Sequence, residues 1–430
     1  MSSKSKIAAT KEGSTLELVP RLRFPEFRET NAWRLASLGR LFSERQEVGF
    51  ANLPLLSLMD KEGIVPQENT KRKNNSSADK SKYLRVVPGD IAYNTMRMWE
   101  GRSAYVGIEG LISPAYTVCV PAVKINSIFF SYYFKTEALI GQFRRYSQGL
   151  VNDTLNLKYK AFSRIQTAYP ENEEEQQKIA DCLTSLDDLI VAQTQKVDAL
   201  KAHKRGLMQQ LFPREGETAP RLRFPEFREA GEWTNIPMGN LLTKSPDYGV
   251  NAAAVPFSEN LPQYLRITDI SEDGRYLPDK KVSVDINATD DNYLDEGDIV
   301  LARTGASVGK SYRYRKEDGK LVFAGFLIRV KPKPTNLNSI YLANFLTTNS
   351  FWKWVAVTSA RSGQPGINST EYCSLPIPLP PDLFEQQRIA DCLTSFDDLI
   401  TTETHKLVAF KTHKAGLMQQ LFPSCDEIRA

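Results

Sequence analysis

The sequence contains no run of 18 apolar residues, which excludes a helix crossing a membrane. Cysteine is scarce: five residues, at 119, 182, 373, 392 and 425, without a CxxC pair. An odd, scattered set argues against a disulfide framework and for reduced thiols in a cytoplasm. Histidine is scarcer, with only His203, His405 and His413, and none stands at metal-ligand spacing with a cysteine, so no metal site is expected. There is no DPPY- or NPPF-like loop for amino methylation and no glycine-rich cofactor loop, so neither a catalytic residue nor a bound cofactor is expected in this chain. The opening MSSKSKIAATKEGSTLELV lacks the apolar core of a signal peptide, so residues 1–19 read as a polar tail. A net charge of +4 permits nucleic-acid binding without demanding it, and local clustering must decide. What is present is ordinary for a globular chain: 41% apolar and 25% charged residues over 430 positions, enough for two or three cores.

The strongest signal is repetition. PRLRFPEFR stands at 20–28 and again, letter for letter, at 220–228, each followed at the same offset by a tryptophan, Trp33 and Trp233. EQQKIADCLTSLDDLI at 175–190 returns as EQQRIADCLTSFDDLI at 385–400, and GLMQQLFP at 206–213 returns at 416–423. Between these blocks the halves diverge. Uniform drift after a duplication would not leave such a mosaic, whereas a constant frame carrying two different inserts would.

Each constant segment reads as a long helix. Ile179, Leu183, Leu186, Ile190, Gln193, Val197, Leu200, Lys204, Leu207 and Leu211 follow a 4-3 alternation, and so do Ile389, Leu393, Phe396, Ile400, Glu403, Leu407, Phe410, Lys414, Leu417 and Leu421. In each copy only two positions are polar, and they coincide. This is the pattern of a coiled-coil seam, in which the polar positions fix register at some cost in stability. Acidic residues crowd the start, Glu173 to Glu175, and Pro213 and Pro423 stop the helices. A helix from Glu175 to Pro213 would span roughly 58 Å at about 1.5 Å per residue. The simplest arrangement pairs the two helices with each other; the alternative packs each on its own globular half. Asp187, Asp188, Asp397 and Asp398 flank the seam and read as solvated charge.

The variable parts, 29–174 and 229–384, are rich in short strand-like runs separated by Gly, Pro, Asn and Asp. Amphipathic helical stretches follow at 127–146 and 339–357, then a Gly-Ser-Asn-rich loop (SQGLVNDTLN or SARSGQPGIN), then a proline-marked strand. Each half is therefore an α+β domain followed by a long helix. The expected boundaries are a tail at 1–19, globular domains at 20–174 and 215–384, helices at 175–214 and 385–424, and a tail at 425–430.

RTGASVGKS, Arg303 to Ser311, resembles a phosphate-cradling loop but fails as one. Gly305 and Gly309 enclose three residues where GxxxxGK[ST] needs four, and KSYRYR beyond them alternates like a strand. Aligning GDI at 89–91 with GDI at 297–299 sets Gly101-Arg102-Ser103 under Gly309-Lys310-Ser311 without a gap. The shared element is Gly-(Arg/Lys)-Ser between two strands, either a phosphate-backbone contact or a solvated turn.

Basic residues interleaved with tyrosines and amides cluster in both variable parts. The candidates for nucleic-acid contact are Lys71, Arg72, Tyr93, Asn94, Arg97, Arg102 and Asn152 in the first, and Arg303, Ser307, Lys310, Tyr312, Arg313, Arg361, Gln364 and Asn368 in the second. Arg, Asn and Gln make bidentate contacts to base edges, and Lys anchors phosphates.

From about residue 20 to 423 the chain resembles the specificity (S) subunits of type I restriction-modification systems. The marks are the two divergent domains, the doubled EQQ(K/R)IADCLTS(L/F)DDLI junction after a proline strand, the GLMQQLFP helix ends and the repeated PRLRFPEF. The resemblance implies two target-recognition domains, each reading half of a split double-stranded DNA sequence. It implies helices pairing as an antiparallel spacer that sets the gap and docks two methyltransferase subunits, which use S-adenosylmethionine to methylate adenine. Two restriction subunits using ATP and magnesium would accompany them, in a bacterial or archaeal cytoplasm, as a defence against phage. Two other classes stay open on the residues: a coiled-coil adaptor whose β-rich halves bind protein, and a self-contained nuclease built on the loose letters Pro278-Asp279 and Asp318-Gly319-Lys320.

Overall fold

A computed structural model describes residues 19–59, 63–70, 76–360 and 363–423. The chain divides into two compact units, one made of residues 1–193 and 406–430 and the other of residues 194–405. Among the described residues no helix is long and apolar enough to cross a membrane. Each unit is α+β.

In unit one, a four-stranded antiparallel sheet runs in the order Phe42–Arg45, Tyr116–Pro121, Ile91–Asn94, Ser103–Tyr105. Its aromatic-rich core includes Phe42, Phe129, Phe130, Phe134, Phe143 and Phe162, all fully buried. Unit two repeats the sheet as Asp247–Tyr248, Leu327–Val330, Ile299–Ala302, Ser311–Arg313. It adds a second sheet, Ala254–Pro256, Val282–Val284, Gln263–Leu265 and Leu321–Phe323, whose last pair is parallel. In both units the proline-marked strand (Gln166–Tyr169 or Pro376–Leu379) pairs antiparallel with the strand after the repeated tryptophan (Arg34–Ser37 or Thr234–Pro237).

The amphipathic stretches are not single helices. The first breaks into Ser127–Tyr133 and Glu137–Tyr146, the second into Ser339–Phe345 and Asn349–Thr358. The cause is a threonine at each break. The Thr136 hydroxyl donates to Tyr133 O, and the Thr348 hydroxyl donates to Phe345 O while accepting from Phe351 N. Such local side-chain bonds compete with the helix ladder, and Thr348 also caps the helix that follows it.

The long helices are Glu173–Leu211 and Leu383–Leu421, and each contributes one half to each unit. In unit two, Lys196 pairs with Glu403 and Lys204 with Asp397, so the helices run antiparallel there. In unit one, Lys414 Nζ meets both Asp187 carboxylate oxygens at 2.6 Å, while Ile179 and Leu183 share a core cluster with Leu421. The residues named for the seam are all buried or half-buried: Ile179, Leu183, Val197, Leu211, Ile389, Leu393, Ile400, Leu407 and Leu421 are buried, and Leu186, Ile190, Leu200, Leu207, Phe396, Phe410 and Leu417 half-buried. Asp187 and Asp397 are not solvated charges; they bind the two seam lysines, and Asp187 also accepts from Tyr132 Oη at 2.7 Å. Asp188 and Asp398 are exposed.

PRLRFPEFR packs within its own unit, where the chain turns in a short 3-10 helix at Pro25–Phe27 and at Pro225–Phe227. Arg23 lies buried in a bidentate pair with Glu175, and Arg223 repeats the arrangement with Glu385. Leu22 N donates to Gln420 O, and Leu222 N to Gln210 O.

The Gly-(Arg/Lys)-Ser element is a turn that only glycine fits. Gly101 and Gly309 have φ of 78° and 88°, in the left-handed region. A Cβ would stand 2.9 Å from Ile140 Cδ1 in the first and 2.8 Å from Val355 Cγ2 in the second. Gly309→Ala is expected to destabilise unit two by about 1–3 kcal/mol from backbone strain, with further cost from the contact. Lys310→Ala is expected to change stability by no more than about 0.5 kcal/mol. Thermal melts of both variants check this, and equal shifts would remove the steric account.

Candidate nucleic-acid interface

Two loops meet at the same place in each unit. In unit one, the loop leaving strand Ile91–Asn94 is pinned to the Gly-Ser-Asn-rich loop by Leu157 N donating to Thr95 O at 2.8 Å. In unit two, Ile367 N donates to Arg303 O at 2.9 Å, and Gly305 N to Pro365 O at 2.9 Å. The backbone frame is shared; the side chains it presents are not.

Unit one presents Met96, Leu150 and Val151, which are 45%, 100% and 60% exposed. Beside them Arg144 lies over the Trp99 ring at 5.9 Å and donates to Asn152 Oδ1 at 3.4 Å. Asn94 spends its side-chain oxygen on Met96 N. Arg97 and Arg102 both pair with Glu100, at 2.9 and 3.3 Å. Tyr93 is withdrawn from the interface: it is fully buried against Phe162, on a central strand covered on both faces, and burial pushes its hydroxyl pKa well up. Lys71 and Arg72 lie outside the described residues.

Unit two presents Arg303, with its guanidinium carbon 4.8 Å from the Tyr248 ring centre, and exposed Gln364. Asn368, also exposed, caps the helix Ser369–Cys373 by accepting from Glu371 N. Ser307 is half-buried in the 3-10 turn Gly305–Ser307. Lys310 pairs with Glu272 at 3.0 Å and Arg313 with Glu296 at 3.3 Å. Burial also pulls the Arg313 pKa down. Tyr312 is withdrawn like Tyr93: it is 1% exposed and donates to Asp318 at 2.6 Å, and burial pushes its pKa far up. That same bond ties up Asp318, one of the loose nuclease letters. Arg361 lies outside the described residues. A cleft of about 190 Å³ lined by Lys204, Arg275, Arg313 and Arg315 is no basic groove, because Asp273, Asp397 and Asp398 share its walls.

Tyr248 escaped the sequence reading. It sits in SPDYGVN, a turn-rich string without a basic residue, and nothing local announces that Arg303 will lie over it. Its hydroxyl donates to Ser369 Oγ at 3.2 Å and accepts from Ser369 N at 3.1 Å. Those bonds, the side-chain one first, and the Arg303 charge hold the phenol below its ordinary pKa.

Residues 228–410 match the family model described as the type I restriction modification DNA specificity domain. A type I restriction enzyme specificity subunit of Methanocaldococcus jannaschii, MjaVIII, is 24% identical over 379 residues, covering 84% of this chain and 85% of that protein. A second from the same organism, MjaX, is 30% identical over 131 residues, 29% of this chain and 30% of that protein. The solved S subunit from M. genitalium superposes with a TM-score of 0.57 at 12% identity, covering 94% of this chain and 99% of that one. A chain from a type I R-M complex gives 0.55 at 14% identity, covering 91% and 98%. The chain is thus similar over most of its length to a specificity subunit of type I restriction-modification systems, and it shares the fold of a solved one.

Proposed function

We propose that this chain gives a type I restriction-modification complex its DNA sequence specificity by reading a bipartite target, one half with each unit. The observation that carries this is the shared loop frame with unlike side chains. One hydrogen bond pins the loops at Thr95 and Leu157 in unit one and at Arg303 and Ile367 in unit two, yet one unit offers apolar tips and the other a guanidinium on an aromatic ring. A constant scaffold with interchangeable faces is what changeable recognition needs.

The long helices act as an antiparallel spacer that sets the gap between half-sites, and their repeated surfaces dock two copies of one methyltransferase. Restriction subunits join that complex, and S-adenosylmethionine, magnesium and ATP belong to these partners. The chain itself carries out no chemistry and works beside DNA in a cytoplasm. The expected methylation motif is two unlike half-sequences around a fixed gap. Exchanging residues 229–384 for the corresponding segment of another member should change one half-sequence and leave the other and the gap intact. Sequencing of modified bases in cells carrying the chain and its methyltransferase tests this; a continuous motif, or both halves changing together, overturns it.

A further inference from the structure

Several basic side chains of unit two are engaged by acids. Arg266, Arg313, Arg315 and Arg329 each hold a carboxylate, and Lys310 and Lys331 do so as well. Arg303 holds none among the described residues. Its Nε is buried without a hydrogen-bond partner, and neither terminal nitrogen is bonded to another of the described residues. Its backbone is fixed on both sides, N to Phe326 O at 3.0 Å and O from Ile367 N at 2.9 Å. The guanidinium rests on the ring of Tyr248, which is 43% exposed and tethered at its hydroxyl by Ser369.

A phosphate contact needs little of this, because any exposed lysine on a flexible stem reaches a phosphate. Holding a guanidinium plane against an aromatic face, with one edge closed by protein, matters for a planar ligand with two acceptors side by side. Arginine has five donors and no acceptor. In the major groove only guanine offers the paired acceptors O6 and N7; adenine offers one acceptor and one donor.

Resting on the bipartite-reading proposal above, we infer that Arg303 reads a guanine in the half-site of unit two, with Tyr248 as the positioning residue that sets its plane. Gln364 borders the same spot, its amide nitrogen 3.0 Å from where a Cβ on Gly305 would stand. The Gly305 φ of 76° excludes a larger residue there, so the loop keeps room for that amide.

The test uses the full chain co-purified with its methyltransferase and duplexes carrying the motif read from modified-base sequencing. Each base pair of the half-site of unit two is changed singly, and each guanine is also replaced by 7-deazaguanine, which lacks the N7 acceptor. The wild-type complex should lose about ten- to hundredfold in affinity at one guanine. Arg303→Ala should bind the intact and altered duplexes equally at that position and keep its preferences elsewhere. Tyr248→Leu should lower discrimination at the same guanine while binding to unrelated DNA stays unchanged, an outcome a merely structural tyrosine would not give. If Arg303→Ala weakens every duplex equally and flattens the salt dependence by about one unit, the residue is a phosphate anchor and the inference falls. It falls too if Arg303→Ala leaves discrimination untouched. A wild-type complex with no preference at any position of that half-site would overturn the bipartite reading together with it.

Discussion

Glu175→Ala is expected to cost unit one about 3–5 kcal/mol, because it strands a buried arginine. The side chains of Arg23 and Glu175 are 6% and 1% exposed, and two bonds of 2.7 Å join them. Arg23 also donates to Thr30 O and Asn31 O, and Trp33 Nε1 donates to Glu175 Oε1 at 3.1 Å. The carboxylate thus ties the PRLRFPEFR segment, the tryptophan after it and the first turn of the long helix into one knot. Removing it leaves the guanidinium desolvated with its charge unpaired. A paired replacement, Arg23→Met with Glu175→Leu, should recover most of the loss, since well-packed apolar groups substitute for buried ion pairs.

The second copy supplies an internal control. Arg223 bonds Glu385 with the same two 2.7 Å contacts, but Trp233 Nε1 has no partner among the described residues. Trp33→Phe therefore gives up a charge-assisted bond of about 1.5–3 kcal/mol that Trp233→Phe does not. Denaturant melts of the full chain should show the larger loss at Trp33. A Glu175→Ala loss under about 1 kcal/mol would mean that water reaches this pair and that the knot is not sealed.

The features legible in the sequence were those written locally or written twice. The repeated blocks marked the frame, the 4-3 spacing marked the long helices, and the proline-bounded strings marked the strands paired across each unit. The spacing of Gly305 and Gly309 and the strand-like KSYRYR were enough to dismiss a nucleotide pocket; the left-handed glycine and the contact awaiting a Cβ at Ile140 or Val355 explain why both turns keep glycine. What stayed hidden was pairing at a distance. Lys310 finds Glu272 and Arg313 finds Glu296, so clusters of basic letters do not become basic surface. Tyr93 and Tyr312 interleave with arginines in sequence, but on sheet strands buried on both faces the alternation that exposes every second residue does not hold. Arg303 stood out in the sequence only as one basic residue among many. It became distinctive when acids took Lys310 and Arg313 beside it and Tyr248, from a strand 55 positions earlier in the chain, came under it.

Lengthening both helices should move the half-sites apart without changing what they say. Four residues inserted after Gln193 and four after His405, chosen to continue the apolar spacing, add about 6 Å to each helix at about 1.5 Å per residue. Both insertions fall at the boundary between the units, away from the Lys204–Asp397 and Lys414–Asp187 pairs. A four-residue insertion in a heptad pattern unwinds the packing locally without destroying it, and making it in both helices keeps facing residues level. Since DNA rises about 3.4 Å per base pair, the gap should grow by at most about two base pairs, with both half-sequences intact. Modified-base sequencing reads the outcome directly. An unchanged gap with methylation retained would show that the helices do not set the spacing, and altered half-sequences would show that the two units do not read independently. Arg303→Ala built into the lengthened chain should lose its one guanine whatever the gap, which keeps reading and spacing separable in a single experiment.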